Sequence, residues 1–343
     1  MGEYVPGLFS QLCAPLIRQA WGTALVICAA LVGSHGYAAE GGIGVYLLGS
    51  RGPMAGYTPP PGVYFQNDFF YYRASFDASR AFPSGAPLAG KIGGHAEVDL
   101  LTPVWVTPLE VLGGNLAFAL TIPVGNVRLT ADPAFASSLG LGAASRTDTT
   151  SSVGDILAHS FVGWHAGDWH WRVGATAVVP SGAYENGALG NIALNRPAAD
   201  MFGGLTWLDP KIGFELSAIA GLTYNGENRV THYRTGNELH VDWAVARHFS
   251  PTFWVGLVGY HYQQLTPDSG TGAFLGDFKG RVTALGGAIG TTLTMGQTPI
   301  SANVRVYREF ETQNRFEGTV GYLTFAMPLY LHSAPPTAVI AKN

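Results

Sequence analysis

Large apolar side chains recur at every second position along much of the chain. In NLAFALTIPVG (Asn115 to Gly125), Leu116, Phe118, Leu120, Ile122 and Val124 hold one parity, and Ala117, Ala119, Thr121, Pro123 and Gly125 hold the other. Successive side chains of a strand point to opposite faces, so the five large groups cover one side. From Ile212 to Tyr224, Phe214, Leu216 and Leu222 alternate with Glu215, Ser217 and Thr223. Trp169, Trp171 and Val173 alternate with His170, Arg172 and Gly174, and Leu239, Val241, Trp243 and Val245 face away from Glu238, His240 and Asp242. A soluble sandwich and a membrane barrel both use this pattern, so alternation alone leaves both open.

Extending the pattern predicts strands over 63–76, 96–107, 115–124, 154–165, 169–179, 200–208, 212–224, 238–247, 252–263, 279–291, 300–309 and 319–331. Twelve is an even number, as single-chain bacterial barrels have. Most of these strands are longer than the roughly 5 to 6 residues common in soluble sheets, which suits a tilted strand crossing a bilayer. The connections alternate as well. Those at 77–95, 125–153, 180–199, 225–237, 264–278 and 310–318 are the longer set, and those at 108–114, 166–168, 209–211, 248–251 and 292–299 the shorter. With both barrel ends in the periplasm, the long set is external and the short set periplasmic. Most tryptophans fall toward strand ends, where an interfacial aromatic girdle belongs. Pro103 and Pro123 remove ladder donors and are expected near strand ends or bulges.

Composition moves the choice toward lipid. Only 12% of the 343 residues are charged, against roughly 25% in an ordinary soluble domain, yet mean hydropathy is just +0.16. The 46 glycines and 12% aromatic residues suit a wall of small lumen-facing and large outward-facing side chains. A net charge of −4 carries no nucleic-acid footprint. Arg18, the apolar run Trp21 to Val32 and Gly36-Tyr37-Ala38 read as a signal peptide over 1–38, cleaved after Ala38 or its neighbour Ala39. The alternative, a membrane anchor, needs about 20 apolar residues, more than this run has. Cys13 and Cys28 both lie in this segment, so the mature chain has neither a disulfide framework nor a thiol nucleophile. Beyond it no apolar stretch is long enough for a spanning helix. The expected fold is an all-β, antiparallel up-and-down transmembrane barrel of about 12 strands over 62–331. An arm or plug at 39–61 precedes it and a tail at 332–343 follows it.

Candidate chemistry is sparse. No H-E-x-x-H, E-x-x-H or paired-cysteine spacing accompanies the ten histidines, so no metal, cofactor or catalytic residue is expected. His261, Asp268 and Ser269 are close in sequence but outside a G-x-S-x-G context, and Asp268-Ser269-Gly270 is also an ordinary turn signal. A barrel interior is polar, which assigns Glu215, His170, Arg172, His240 and Asp242 to the lumen. In RVYREFETQNR, alternation sends Arg305, Tyr307, Glu309 and Glu311 inward together. With Lys279 or Arg281 from the neighbouring strand, these residues form a candidate constriction, or else they pair and stiffen the wall.

Five separated blocks carry a family resemblance: EGGIGVYLLGSRGPMAGYTPPPGVYFQNDFFYY, VPSGAYENGALGNIALNRPAADMFGGLTWLD, GLTYNGENRVTHYRTGNELHVDW, LTPDSGTGAFLGDFKGRVTALGGAIG and VRVYREFETQNRFEG. Over essentially the whole mature chain the sequence resembles the outer-membrane transporter family labelled putative MetA-pathway of phenol degradation, which also takes in sphingosine-induced outer-membrane proteins. Barrels of this class commonly finish at or near an aromatic residue of the last strand, whereas here HSAPPTAVIAKN follows Tyr330 and Leu331. The resemblance implies a channel in the bacterial outer membrane for passive uptake of small hydrophobic or aromatic compounds, or long-chain lipids. The expected partners are outer-membrane lipids, that solute and the barrel-assembly machinery. A barrel esterase or phospholipase and a structural barrel with a closed lumen are the alternatives.

Overall fold

The computed structural model describes residues 42–78, 88–273 and 279–332. The predicted signal peptide and the tail beyond His332 lie outside them. In chain order the elements are β1 (Gly62–Asp77), β2 (Lys91–Val111), β3 (Gly114–Ala131), the short helix α1 (Pro133–Ser138), β4 (Arg146–Val153), β5 (Ile156–Ala166), β6 (Trp169–Val179), β7 (Ala198–Asp209), β8 (Phe214–Asn225), β9 (Glu227–Asn228), β10 (Tyr233–Arg234), β11 (Glu238–Ser250), β12 (Phe253–Gln264), β13 (Arg281–Met295), β14 (Thr298–Gln313) and β15 (Glu317–Leu331). Every neighbouring pair in the main sheet is antiparallel, and β1 pairs with both β2 and β15, so the sheet closes on itself. Closure pairs both edges of every strand of the main sheet except β4, as an apolar solvent demands of spanning strands. The small β9–β10 hairpin stands apart in the connection between β8 and β11.

The period-two pattern sets the two faces. Phe118, Leu120 and Val124 are exposed on the outside while Ala117 and Ala119 are buried inside. Met201, Leu205, Leu216, Leu222, Leu257, Leu285, Ile289, Val306, Leu323 and Phe325 continue the exposed apolar belt around the barrel. Such a surface is stable only against lipid, so the barrel is a transmembrane one. The aromatic girdle is concentrated at the short-turn rim. There Trp105 lies near Phe118, Trp164 stacks on Trp171, Trp169 meets Trp207, and Phe249 meets Phe253.

The strand expected at 154–165 is β5, and an additional strand, β4, precedes it inside the connection expected at 125–153. β3 pairs with β4 along Val124–Ala131 and with β5 along Asn115–Thr121, so β4 and β5 lie end to end and thirteen strands fill twelve positions. The break at Gly154 and Asp155 sits opposite Pro123, whose missing N–H ends the ladder there, while its carbonyl accepts Gly154 N at 2.8 Å. β3 runs on to Ala131, beyond the expected end at Val124, because β4 supplies a partner for that extension. Asp155 turns inward at the break and accepts four backbone N–H groups of the β6–β7 connection: Ser181 (3.0 Å), Gly182 (2.9 Å), Leu194 (2.8 Å) and Asn195 (2.8 Å). One carboxylate thereby stitches a long connection over the interruption.

The other long connections gather at the same end. Phe76, Leu88, Ile92, Ala131, Phe135, Leu189 and Phe316 form an apolar cap there, with α1 started by Asp132, whose side chain accepts Phe135 N at 2.8 Å. The connection expected at 310–318 is shorter than its set, because β14 reaches Gln313 and β15 begins at Glu317.

Two outcomes test this architecture. Leu257→Arg, in the middle of the exposed belt, is expected to cost about 2–4 kcal/mol in guanidinium unfolding from lipid vesicles, as a cation facing hydrocarbon does. Asp155→Ala is expected to lower the local stability of the 181–195 segment by about 1–3 kcal/mol. Faster limited proteolysis within that segment, with the barrel otherwise intact, is the readout; unchanged cleavage would mean that the carboxylate does not hold the connection.

Candidate functional site

The lumen holds the chain's own N-terminal segment. Gly42 lies against the Phe316 ring and Gly44 against the Glu238 carboxylate, both at the long-connection end, while Gly62 opens β1 at the short-turn end. Residues 42–61 therefore descend the length of the barrel inside it. Glycines and the Pro59-Pro60-Pro61 run deny this segment a regular hydrogen-bond ladder, so its backbone groups must find partners on the wall.

The wall provides them in sequence order. Tyr322 Oη donates to Leu48 O (2.9 Å), Tyr307 Oη to Gly49 O (3.0 Å) and Arg305 Nη1 to Ser50 O (2.8 Å). Arg51 N then donates to Asp242 Oδ2 (3.1 Å), Met54 N to Glu215 Oε1 (2.6 Å) and Gly56 N to Thr206 Oγ1 (2.9 Å). Tyr46 stacks on His240 with ring centroids 3.6 Å apart and donates its hydroxyl to Asp242 Oδ2 at 2.7 Å. Close approach explains two glycines. A Cβ on Gly49, at φ +78°, would meet the Tyr307 ring at 2.9 Å, and one on Gly56 would meet His170 O at 2.4 Å.

Most of the inward residues read from the sequence meet around this plug. Arg305 also reaches Thr324 Oγ1 (2.8 Å) and Asp68 Oδ1 (3.3 Å) and lies over the Tyr322 ring. Glu215 accepts His248 Nε2 (2.8 Å), and His240 Nε2 meets Asp200 Oδ1 (2.8 Å). His170 pairs with His165 across the β5–β6 hairpin at 2.7 Å, beside the Tyr57 ring. Glu309 does not touch the plug. It gathers Tyr72 Oη (2.8 Å), Tyr260 Oη (2.8 Å) and Gly318 N (2.7 Å), tying β1, β12 and β15 together. Arg172 points into the lumen over the Phe161 ring.

Two expectations need correction. Arg281 and Lys279 are exposed and contribute nothing to the lumen, because β13 turns Val282, Ala284 and Ala288 inward and Lys279 precedes the strand. Glu311 is exposed at φ +53°, where the β13–β14 register shifts and the inward parity is lost. His261 bonds outside to Thr283 (2.9 Å) while the buried Asp268 accepts Gly236 N (2.9 Å) and Gln264 Nε2 (2.6 Å), so His261, Asp268 and Ser269 form no relay. Strand parity alone places Tyr260, Tyr262, Tyr322 and Asp68 inward. Tyr322 donates to the plug, whereas Tyr260 and Tyr262 donate to Glu309 and Glu238 on other strands and Asp68 meets Arg305.

The plug leans on the β7–β8–β11–β14 side and leaves a cavity of about 1120 Å³ along the opposite wall. The lining reaches from Ile192 and Leu194 of the β6–β7 connection to Gln297 in the β13–β14 turn and Leu331 at the end of β15. Phe70, Val98, Leu100 and Val127 make much of its wall, and the plug adds Val45, Leu47 and Met54. A polar thread crosses it: Thr102 to Thr121 (2.9 Å), Thr121 to His159 Nε2 (3.0 Å) and His159 Nδ1 to Thr176 (2.9 Å). Among the described residues no group of three or more His, Cys, Asp or Glu side chains is placed to hold a metal.

Comparison with known proteins places this geometry. The family model described as "Putative MetA-pathway of phenol degradation" matches residues 78–325. The COG4313 outer membrane channel from Pseudomonas putida F1 superposes with a TM-score of 0.63 at 12% identity, covering 82% of this chain and 98% of that one. A TodX deltaS2S3 mutant monoaromatic hydrocarbon channel gives 0.42 at 8% identity over 81% and 92%. A Pseudomonas aeruginosa FadL homologue gives 0.37 at 11% over 86% and 98%. The first of these shares the fold. No curated protein has a significant sequence match to the chain.

Removing the plug's cationic anchor tests the geometry. Arg305→Ala strands the buried Asp68 carboxylate and is expected to cost about 3–5 kcal/mol in chemical unfolding. Tyr307→Phe, which removes one neutral hydrogen bond, is expected to cost about 1 kcal/mol. A cysteine at Ser50 should react faster with a water-soluble maleimide in the Arg305→Ala background; equal labelling rates would show that the guanidinium does not hold the segment.

Proposed function

The chain belongs to the family described as "Putative MetA-pathway of phenol degradation", and from that premise we propose that it is a bacterial outer-membrane channel for passive uptake of small hydrophobic or aromatic compounds. The observation that carries this reading is the wall-side cavity. It runs beside the plug through most of the barrel's height, and apolar side chains dominate its lining. A solute enters beneath the apolar cap formed by the long connections, moves along the Phe70, Val98 and Leu100 wall, and leaves at the short-turn end on the periplasmic side. Lipid surrounds the exposed belt, and the barrel-assembly machinery inserts the strands.

The plug sets the character of the pore. With residues 42–61 fastened across the lumen, a wide water-filled passage is closed, while an apolar solute still has a continuous surface to follow. Twelve strand positions enclose less space than the wide aqueous channels of 16–18 strands. The reading gives no residue a catalytic role.

Planar-bilayer recording of the refolded mature chain tests it. Brief, small openings that toluene reduces are expected, and deletion of 43–60 should enlarge the conductance severalfold. Leu100→Trp, which fills the cavity without touching the plug's hydrogen bonds, should lower toluene uptake into proteoliposomes. Normal uptake in a correctly folded Leu100→Trp barrel would take the cavity off the transport path.

A further inference from the structure

Three carboxylates and three arginines line the cavity: Asp68, Asp155 and Asp200, and Arg51, Arg172 and Arg305. The carboxylates are already engaged. Asp68 meets Arg305 and Thr324, Asp155 accepts four backbone N–H groups, and Asp200 meets His240 and Thr223. Arg305 is engaged with Asp68 and with the plug. Among the described residues the guanidinium groups of Arg51 and Arg172 have no hydrogen-bond acceptor and no ion-pair partner, and Arg172 Nε is buried without one.

These two cations stand together. Arg51 lies over the Phe202 ring at 5.2 Å and Arg172 over the Phe161 ring at 5.4 Å. Phe161 and Phe202 flank Gly174, where an added Cβ would meet both, at 2.5 and 2.8 Å. Both face the same cavity as His159, whose two ring nitrogens are held by Thr121 and Thr176. One guanidinium comes from the plug and one from β6, so the pair exists only when the plug is seated. Two like charges facing an apolar cavity repel, and the rings offset only part of that cost. Guanidinium groups present forked donors that match a carboxylate in two-point geometry.

We propose that Arg51 and Arg172 form a binding site for the carboxylate of an otherwise apolar solute, whose hydrocarbon body lies along the Phe70, Val98 and Leu100 wall. This rests on the uptake reading above and narrows it from hydrophobic compounds in general to those with one anionic end. Two cations around one carboxylate explain why neither has a protein partner. The site also gives the passage a directional foothold, because a neutral hydrocarbon meets only the apolar surface while an acid is held at one level.

Calorimetric titration of the folded mature barrel in detergent tests this with 6-phenylhexanoate, the neutral 6-phenylhexan-1-ol and acetate, each corrected for titration into detergent alone. The acid is expected to bind roughly 10- to 100-fold more tightly than the alcohol, the range for charge-assisted hydrogen bonds. Acetate should bind weakly. Arg172→Gln and Arg51→Gln should each reduce the preference to near unity while leaving alcohol binding unchanged, and Arg172→Lys should keep part of it. Equal affinity for acid and alcohol in the native chain would overturn the proposal and leave the uptake reading standing. So would a preference that survives in both glutamine variants, or acetate binding as tightly as the phenyl acid. Binding of neither phenyl compound would remove both readings together.

Discussion

An irregular stretch of backbone inside a barrel has no strand or helix to satisfy its N–H and C=O groups, and each one left unpaired away from water costs free energy comparable to a lost hydrogen bond. The segment 42–61 meets this constraint through the wall. Tyr322, Tyr307 and Arg305 donate to three consecutive carbonyls, and Asp242, Glu215 and Thr206 accept N–H groups further along. Glu215, Asp242 and Arg305, with the Thr206 hydroxyl, therefore serve the plug before any solute. The position of the plug in turn decides where open space remains, because a segment fastened on one side leaves its cavity on the other.

The other organising feature is an interruption. Pro123 has no N–H to offer the neighbouring strand, and opposite it the chain breaks into β4 and β5 at Gly154 and Asp155. A break in a closed barrel exposes backbone groups where partners are scarce. Asp155 turns the defect into a junction by binding both ends of the β6–β7 connection. The same connection supplies Ile192 and Leu194 to the upper cavity. The shape of the passage and the continuity of the wall thus depend on one proline, one glycine and one carboxylate.

Electrostatically the lumen is divided. On the plug side Glu215, Asp242 and Arg305 each bond the plug backbone at 2.6–3.1 Å. On the cavity side the two guanidinium groups of Arg51 and Arg172 rest on aromatic rings with no acceptor among the described residues. Matched charges rigidify a structure, whereas unmatched ones remain available to a ligand.

Much of this was legible in the chain before folding. Alternation at Leu116–Val124 and Leu239–Val245 determined a strand with one lipid-facing side, because side-chain direction in a strand is a local property of period two. The same parity put His240, Asp242, Glu215, Arg305 and Tyr307 inside. It failed where local geometry changes the count, at the Glu311 bulge and at Lys279 and Arg281, whose positions depend on where β13 starts. Which groups inward residues touch was not legible, since the partner of Arg305 is Ser50, 255 positions away and without any repeating pattern. Only closure of the barrel around its own N-terminal segment brought Arg51 beside Arg172, because such contacts depend on three-dimensional register that no periodicity along the chain encodes.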